Sequence, residues 1–137
     1  MVSDAQQALS ALSASGVGAK LGIIGFCFGG GVLWNTLAAG TAVEAAVPFY
    51  GPAPQNLAGL ATAKAAVFAI YGERDVRITS TRDQVEAQLS RDGHPYRIKV
   101  YPGANHAFHN DTGARYDPVQ AETAWIDTID WLQQYVH

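Results

Sequence analysis

The amino-acid sequence predicts an α/β fold: a mostly parallel sheet of about four strands flanked by helices. Three observations lead there. Apolar runs at 21–26, 43–50 and 65–71 lack polar alternation, the pattern of strands buried on both faces. Segments of helical spacing separate them, which makes the connections crossovers and the strands parallel. Glycine or proline stands at most junctions.

Residues 4–14 are expected to form a helix, with Asp4 as its cap and Ala8, Leu9 and Leu12 at helical spacing. Gly16 and Gly18 are its stop signals. Strand 21–26 runs into Gly29-Gly30-Gly31, and residues 32–39 then read as a helix ended by Gly40. Strand 43–50 carries Pro48 near its end, and Gly51-Pro52-Ala53-Pro54 is a loop. Strand 65–71 closes at Gly72. Helix 79–92 places Val85 and Leu89 at i, i+4. Residues 96–101 alternate, so this strand is expected nearer an edge. Residues 102–117 form a loop rich in Gly, Asn, Asp and His. The last helix, about 119–136, sets Trp125, Ile129 and Leu132 on one face.

At 137 residues the chain is expected to be a single domain, 1–137, with a real core. Its 48% hydrophobic and 15% charged residues argue against disorder. A net charge of −3 gives no electrostatic reason to expect nucleic acid or an anionic membrane as partner. No apolar run approaches the roughly 18 residues of a membrane span. The first residues lack the basic start and apolar stretch of a signal peptide, so a cytoplasmic location is expected. The single cysteine, Cys27, excludes an intramolecular disulfide and any multi-cysteine metal site.

That cysteine stands in Gly25-Phe26-Cys27-Phe28-Gly29-Gly30, between a buried strand and a helix. This is the pattern G-x-nucleophile-x-G, with Cys in place of Ser. The turn it forms is sharp enough to strain the nucleophile's backbone. Small residues are needed two positions before and after, where the chain crowds itself. The Phe28 backbone N–H is the expected oxyanion donor, and the helix N-terminus favours a thiolate. A nucleophile needs a base, and the base needs an orienting group. Asp75 follows the third strand in Gly72-Glu73-Arg74-Asp75, and His106 follows the fourth in Gly103-Ala104-Asn105-His106. Both fall where an open parallel sheet delivers its active-site groups. The order nucleophile, acid, histidine is that of the α/β-hydrolases.

These segments, together with His106-Ala107-Phe108-His109-Asn110-Asp111, resemble the dienelactone hydrolase (carboxymethylenebutenolidase) family. The resemblance implies Cys27 as nucleophile, Asp75 as acid and His106 as base, acting on an ester or lactone as small-molecule substrate. It implies no metal and no organic cofactor. It covers the whole chain but the C-terminal half of the family fold, a truncated α/β-hydrolase-like three-layer fold. The half without counterpart is implied to supply the second oxyanion donor and part of the substrate's carboxylate recognition. The family pattern also places an arginine four residues after the histidine, where this chain has Asn110; the nearest later arginine is Arg115. The strand before Cys27 is implied to be central in the full sheet. Here its edge is expected to be free and apolar, so a homodimer or higher self-association through that edge is expected.

Several residues admit plainer readings. Cys27 could be a small buried hydrophobe at a turn, and Asp75 a capping residue. His109 competes with His106 as base. His106, His109 and Asp111 could together bind a metal, but lie in one loop without a further ligand. Asn110 and Asp111 read more simply as ties between side chain and backbone within the loop. Tyr50, at the end of the second strand, is a candidate for the pocket lining. Phe28 and Phe108 are candidates for an apolar pocket wall. Trp34, Trp125 and Trp131 read as core or interface aromatics, and His94 and His137 as surface residues. No Lys-Ser/Thr follows the three glycines, which excludes a P-loop. An alternative function is a catalytically weak module that keeps this geometry and serves binding or assembly.

Overall fold

The computed structural model describes residues 1–16 and 20–137. Four parallel strands, β1 (Gly22–Phe26), β2 (Ala45–Phe49), β3 (Ala66–Gly72) and β4 (Tyr96–Tyr101), lie side by side in chain order. Every residue of β2 and β3 is buried, as their unbroken apolar runs require. Pro48, in register with Gly25 of β1, has no N–H to give the ladder. The β2–β3 pairing skips residues 47–48 and resumes at Phe49 with Ile70. Both outer strands, β1 and β4, have a single ladder partner among the described residues.

Helices α1 (Val2–Ala14), α2 (Phe28–Ala38) and α4 (Arg82–Arg91) and a 3-10 helix at Leu57–Thr62 lie over one face. There Leu33, Trp34 and Leu37 of α2 meet Ala46, Val67, Ala69 and Tyr71, with Val85 and Leu89 of α4. On the other face α5 (Pro118–Tyr135) sets Ala121, Ala124 and Trp131 against Phe49, Phe68 and Ile70. The Trp131 indole N–H also donates to the Ala66 carbonyl at 3.3 Å. Alternate residues of each strand thus feed alternate faces.

Several expected boundaries move. The first helix begins at Val2, capped by Met1, and Asp4 sits in its first turn paired with the terminal amine. Gly16 takes the left-handed conformation, φ +73°, that ends such a helix; Gly18 lies outside the described residues. The helix expected at 32–39 begins four residues earlier, so Cys27 is its N-cap. The stretch expected as helix 79–92 is two pieces, α3 (Val76–Thr79) and α4, and a 3-10 helix occupies the segment before β3. The largest correction concerns α5. Its packing face is Ala121, Ala124, Thr128 and Trp131, while Trp125 and Ile129 lie outside it, 41% and 36% exposed. Small residues face the sheet because the helix backbone rests close on β2 and β3. Of the tryptophans expected in core or interface, Trp34 and Trp131 are in the core, and Trp125 is 41% exposed. His94, expected on the surface, is half-buried, its Nε2 2.9 Å from the Leu60 carbonyl oxygen.

Candidate active site

The site is built at the C-terminal ends of the strands, where the turns after β1, β2, β3 and β4 converge. The turn after β1 is the sharpest. Cys27 has φ 54° and ψ −116°, a conformation that L residues rarely adopt. Its N–H donates to the Phe49 carbonyl at 3.0 Å, which anchors the turn to β2, and its own carbonyl accepts from Gly31. A Cβ on Gly25 would stand 2.4 Å from the Gly29 carbonyl oxygen. A Cβ on Gly30 would stand 2.8 Å from the Phe49 carbonyl oxygen and 2.9 Å from the Cα of Gly51. The small residue that the expected spacing puts at 29 is not sterically demanded, since Gly29 has open space; the crowding falls on Gly30 instead.

Cys27 is exposed. Its Sγ lies 3.0 Å from His106 Nε2. On the other side of the imidazole, Nδ1 lies 2.5 Å from Asp75 Oδ2, a short hydrogen bond in which the ring nitrogen donates. The Asp75 and His106 side chains are 6% and 14% exposed, so the carboxylate is nearly withdrawn from water and the ring open along one edge. Asp75 is the N-cap of α3, yet its carboxylate makes no capping bond there. Its backbone carbonyl takes the Ile78 and Thr79 N–H groups instead, leaving the side chain for His106. The loop after β4 that carries His106 is tied down at several points. Gly103 N–H donates to Glu73, Arg74 N–H to the Ala104 carbonyl, and Asp117 N–H to the Phe108 carbonyl. Asn110 accepts from Thr112 within the loop; among the described residues no such bond involves the exposed Asp111.

Three non-glycine residues have positive φ among the described residues: Cys27, Tyr50 at 38° and Ala107 at 62°. All three line one cleft of about 560 Å³, with Phe26, His109, Asn110, Asp111 and Trp125. Backbone strain is therefore concentrated where Cys27 stands. The Tyr50 ring is buried edge-on to His106, centroids 5.2 Å apart. Burial, with the nearby Cys27, pushes its hydroxyl up to about 12, so it keeps its proton at neutral pH. Burial lowers His109 below the ordinary histidine value, so this ring is neutral there. A hollow of about 590 Å³ between α1 and the starts of β1 and β2 is at the opposite end of the sheet and holds no such cluster.

Of the residues singled out in the sequence, Cys27, Asp75, His106 and Tyr50 come together. His109, the competing base, lines the cleft, while His106 holds the contacts to Cys27 and Asp75. Phe108, expected on the pocket wall, is instead fully buried, packed beneath Tyr50 and against Tyr101. Phe28, expected beside it, is 61% exposed and faces a separate groove with Val32 and Pro52. Residues 106–109 form a turn with Ala107 at φ 62°, so His106 and Phe108 point differently, which the spacing could not reveal. Phe26 lines the cleft unannounced, and Trp125, expected in core or interface, lines it too. The strand parity of Phe26, next to Cys27, was the available signal.

An elbow nucleophile after one parallel strand, with an acid and a histidine after later strands, is the layout of the α/β-hydrolases, and the fold is of that class. The chain belongs to the dienelactone hydrolase family, whose description matches residues 1–136. A relative from Saccharolobus solfataricus, its name provisionally that of a carboxymethylenebutenolidase, is 34% identical over 98% of this chain and 51% of its own length. One of the same name from Methylorubrum extorquens is 36% identical over 85% of this chain and 44% of its own length. A dienelactone hydrolase structure from Klebsiella pneumoniae, so titled provisionally, superposes with a TM-score of 0.85 at 30% identity, covering 98% of this chain and 60% of that one. A dienelactone hydrolase-like promiscuous phosphotriesterase from metagenomic libraries gives 0.87 at 25% identity, covering 97% and 60%. The chain spans about half the length of the curated relatives it matches.

Proposed function

We propose that this chain carries the catalytic centre of an ester or lactone hydrolase. The observation that carries the reading is the unbroken line Cys27 Sγ–His106 Nε2–His106 Nδ1–Asp75 Oδ2, at 3.0 and 2.5 Å. His106 takes the thiol proton, and the thiolate sulfur attacks the acyl carbon. The carbonyl oxygen becomes an oxyanion, steadied by the Phe28 N–H at the start of α2. As the carbonyl re-forms, the bond to the alkoxide breaks and His106 returns the proton to it. A thioester to Cys27 remains. His106 then removes a proton from water, whose hydroxide adds to the thioester. The intermediate expels the Cys27 thiolate, the acid is released, and His106 returns the proton to Cys27. Asp75 holds the ring in the tautomer this requires and stabilises its charged form. Esters and lactones suit such a nucleophile better than amides, because an amine leaves less readily than the thiolate. A reduced thiol also suits the cytoplasm.

The test is initial-rate hydrolysis of a short activated ester and of a dienelactone by the protein and by Cys27→Ala, with the mass in solution recorded on the same samples. Activity lost in the variant supports Cys27 as nucleophile. Equal, negligible rates in both overturn the catalytic reading for this chain.

The edge of β1 that has no ladder partner among the described residues favours self-association as the accompanying behaviour. Along it run Ile24, Ile129, Leu132 and Val136, with Trp125 and Ile126 exposed beside them. A second copy pairing at this edge would cover the strip and bring two sites together as a homodimer. If hydrolysis fails while the mass is that of a dimer, the chain is an assembly module.

A further inference from the structure

His106 meets Asp75 only while the turns that follow β3 and β4 keep their distance. The turn after β3 is closed on itself. Asp75 N–H donates to the Gly72 carbonyl at 3.1 Å, and the Thr79 hydroxyl donates to the same carbonyl at 2.8 Å. The turn after β4 is Tyr101-Pro102-Gly103-Ala104, with Gly103 at φ +70° and the Ala104 N–H directed back to the Tyr101 carbonyl. His106 follows two residues later. Glu73 and Arg74 bridge the two turns with three bonds. Glu73 N–H donates to the Tyr101 carbonyl at 3.1 Å, Arg74 N–H to the Ala104 carbonyl at 2.9 Å, and Gly103 N–H to the Glu73 carboxylate at 2.8 Å. The first two are backbone bonds that most residues could make. The third depends on one side chain. The turns also touch, since a Cβ on Gly72 would stand 2.8 Å from the Ala104 carbonyl oxygen and 2.9 Å from that of Asn105. The His106 loop therefore has no room to come closer, and the Glu73 bond opposes its moving away.

We propose that Glu73 is a positioning residue: its carboxylate holds the Gly103 turn against Gly72 and so sets the distance between Asp75 and His106. This deepens the hydrolase reading and rests on it. Glu73 itself touches none of the reacting atoms. Its bond to Gly103 is charge-assisted, but the side chain is exposed, so water can take its place and the fold loses little. The effect falls on geometry. The Asp75 bond favours the charged form of His106, and a charged imidazole beside Cys27 favours the thiolate. A His106 loop that drifts from Asp75 weakens both.

The test needs no turnover. The 137-residue protein, Glu73→Ala and Glu73→Gln are compared by the low-field proton resonance of the His106 Nδ1–H, by alkylation of Cys27 with iodoacetamide against pH, and by thermal melting. Each alkylation rate is divided by that of 2-mercaptoethanol at the same pH. Glu73→Ala should lose the resonance to exchange with water and alkylate about three- to tenfold more slowly on the acid side of the profile. Glu73→Gln, whose amide oxygen still accepts from Gly103, should restore both, which separates the bond from the charge. Melting should barely move in either variant. A Glu73→Ala that keeps the resonance and the profile would overturn the proposal. So would a Glu73→Gln no better than Glu73→Ala, or slower alkylation matched by early melting, which is a stability role. A parent without the resonance, alkylating as 2-mercaptoethanol does, removes the hydrolase reading and this proposal with it. A parent with both signatures, unmoved by Glu73→Ala, loses the proposal alone.

Discussion

Cys27 combines two properties that a side chain rarely has together, a positive φ and an exposed position, and both follow from the elbow. Strain of this kind costs about 1–3 kcal/mol and persists where surrounding structure holds it. Here the hold comes from the bond to Phe49 and from the packing of Gly25 and Gly30. Cys27→Gly should therefore be at least as stable as the parent, and about 1 kcal/mol more stable if the strain is released. Equilibrium denaturation would read this, and a clear loss of stability would mean that the cysteine is not strained. The neighbouring glycines give a contrast within three residues. Gly30→Ala places a methyl group against backbone atoms and should cost about 1–3 kcal/mol. Gly29→Ala meets nothing and sits in α2, so it should gain up to about 1 kcal/mol. Thermal melting of the pair tests the assignment, and a harmless Gly30→Ala would refute it.

At the scale of elements, α5 is fastened to the edge strand β4 by one carboxylate. Asp127 accepts from Lys99 at 2.6 Å, from the Tyr101 hydroxyl at 2.6 Å and from Arg97 at 3.1 Å. Burial alone would raise its pKa. The bonds from Lys99 and Tyr101, with the Arg97 charge, prevail and hold it below its ordinary 3.8. Tyr101 is raised in turn, by burial and by this bond. A carboxylate lowered on folding adds stability that is fully present above its unfolded pKa and is lost as the pH falls through the folded one. Stability should thus decline below about pH 4, and Asp127→Asn should flatten that decline. Denaturant titrations between pH 2 and 6 measure both slopes, and equal slopes would remove Asp127 from the account. The same fastening matters to the site, because Tyr101 supports Phe108, and Phe108 supports Tyr50 beside His106.

At the scale of the molecule, β1 and the outer flank of α5 form an apolar border with no neighbour among the described residues. If two copies meet there, Ile129→Lys should shift sedimentation from dimer to monomer while leaving the fold intact, since Ile129 faces outward. A monomeric parent would end that reading. The sequence by itself determined a good deal of this protein. The unbroken apolar runs made the parallel α/β layering legible before any coordinate. Strands β2 and β3 are buried on both faces as expected, while β1, expected so too, is only partly buried because it has a single ladder partner among the described residues. Gly25, Cys27, Asp75 and His106 were legible too, because an elbow and strand-end positions are local in sequence. Tertiary structure decided what depends on parity and proximity. Helix α5 turned alanines to the sheet and Trp125 outward, because a close helix-to-sheet approach outweighs the burial of one large ring. Phe108 went under Tyr50 instead of beside Cys27, because a positive φ at Ala107 turns the loop. The aromatic wall of the cleft joins Phe26, Tyr50, His109 and Trp125 from four separate segments, and no spacing along the chain records that meeting.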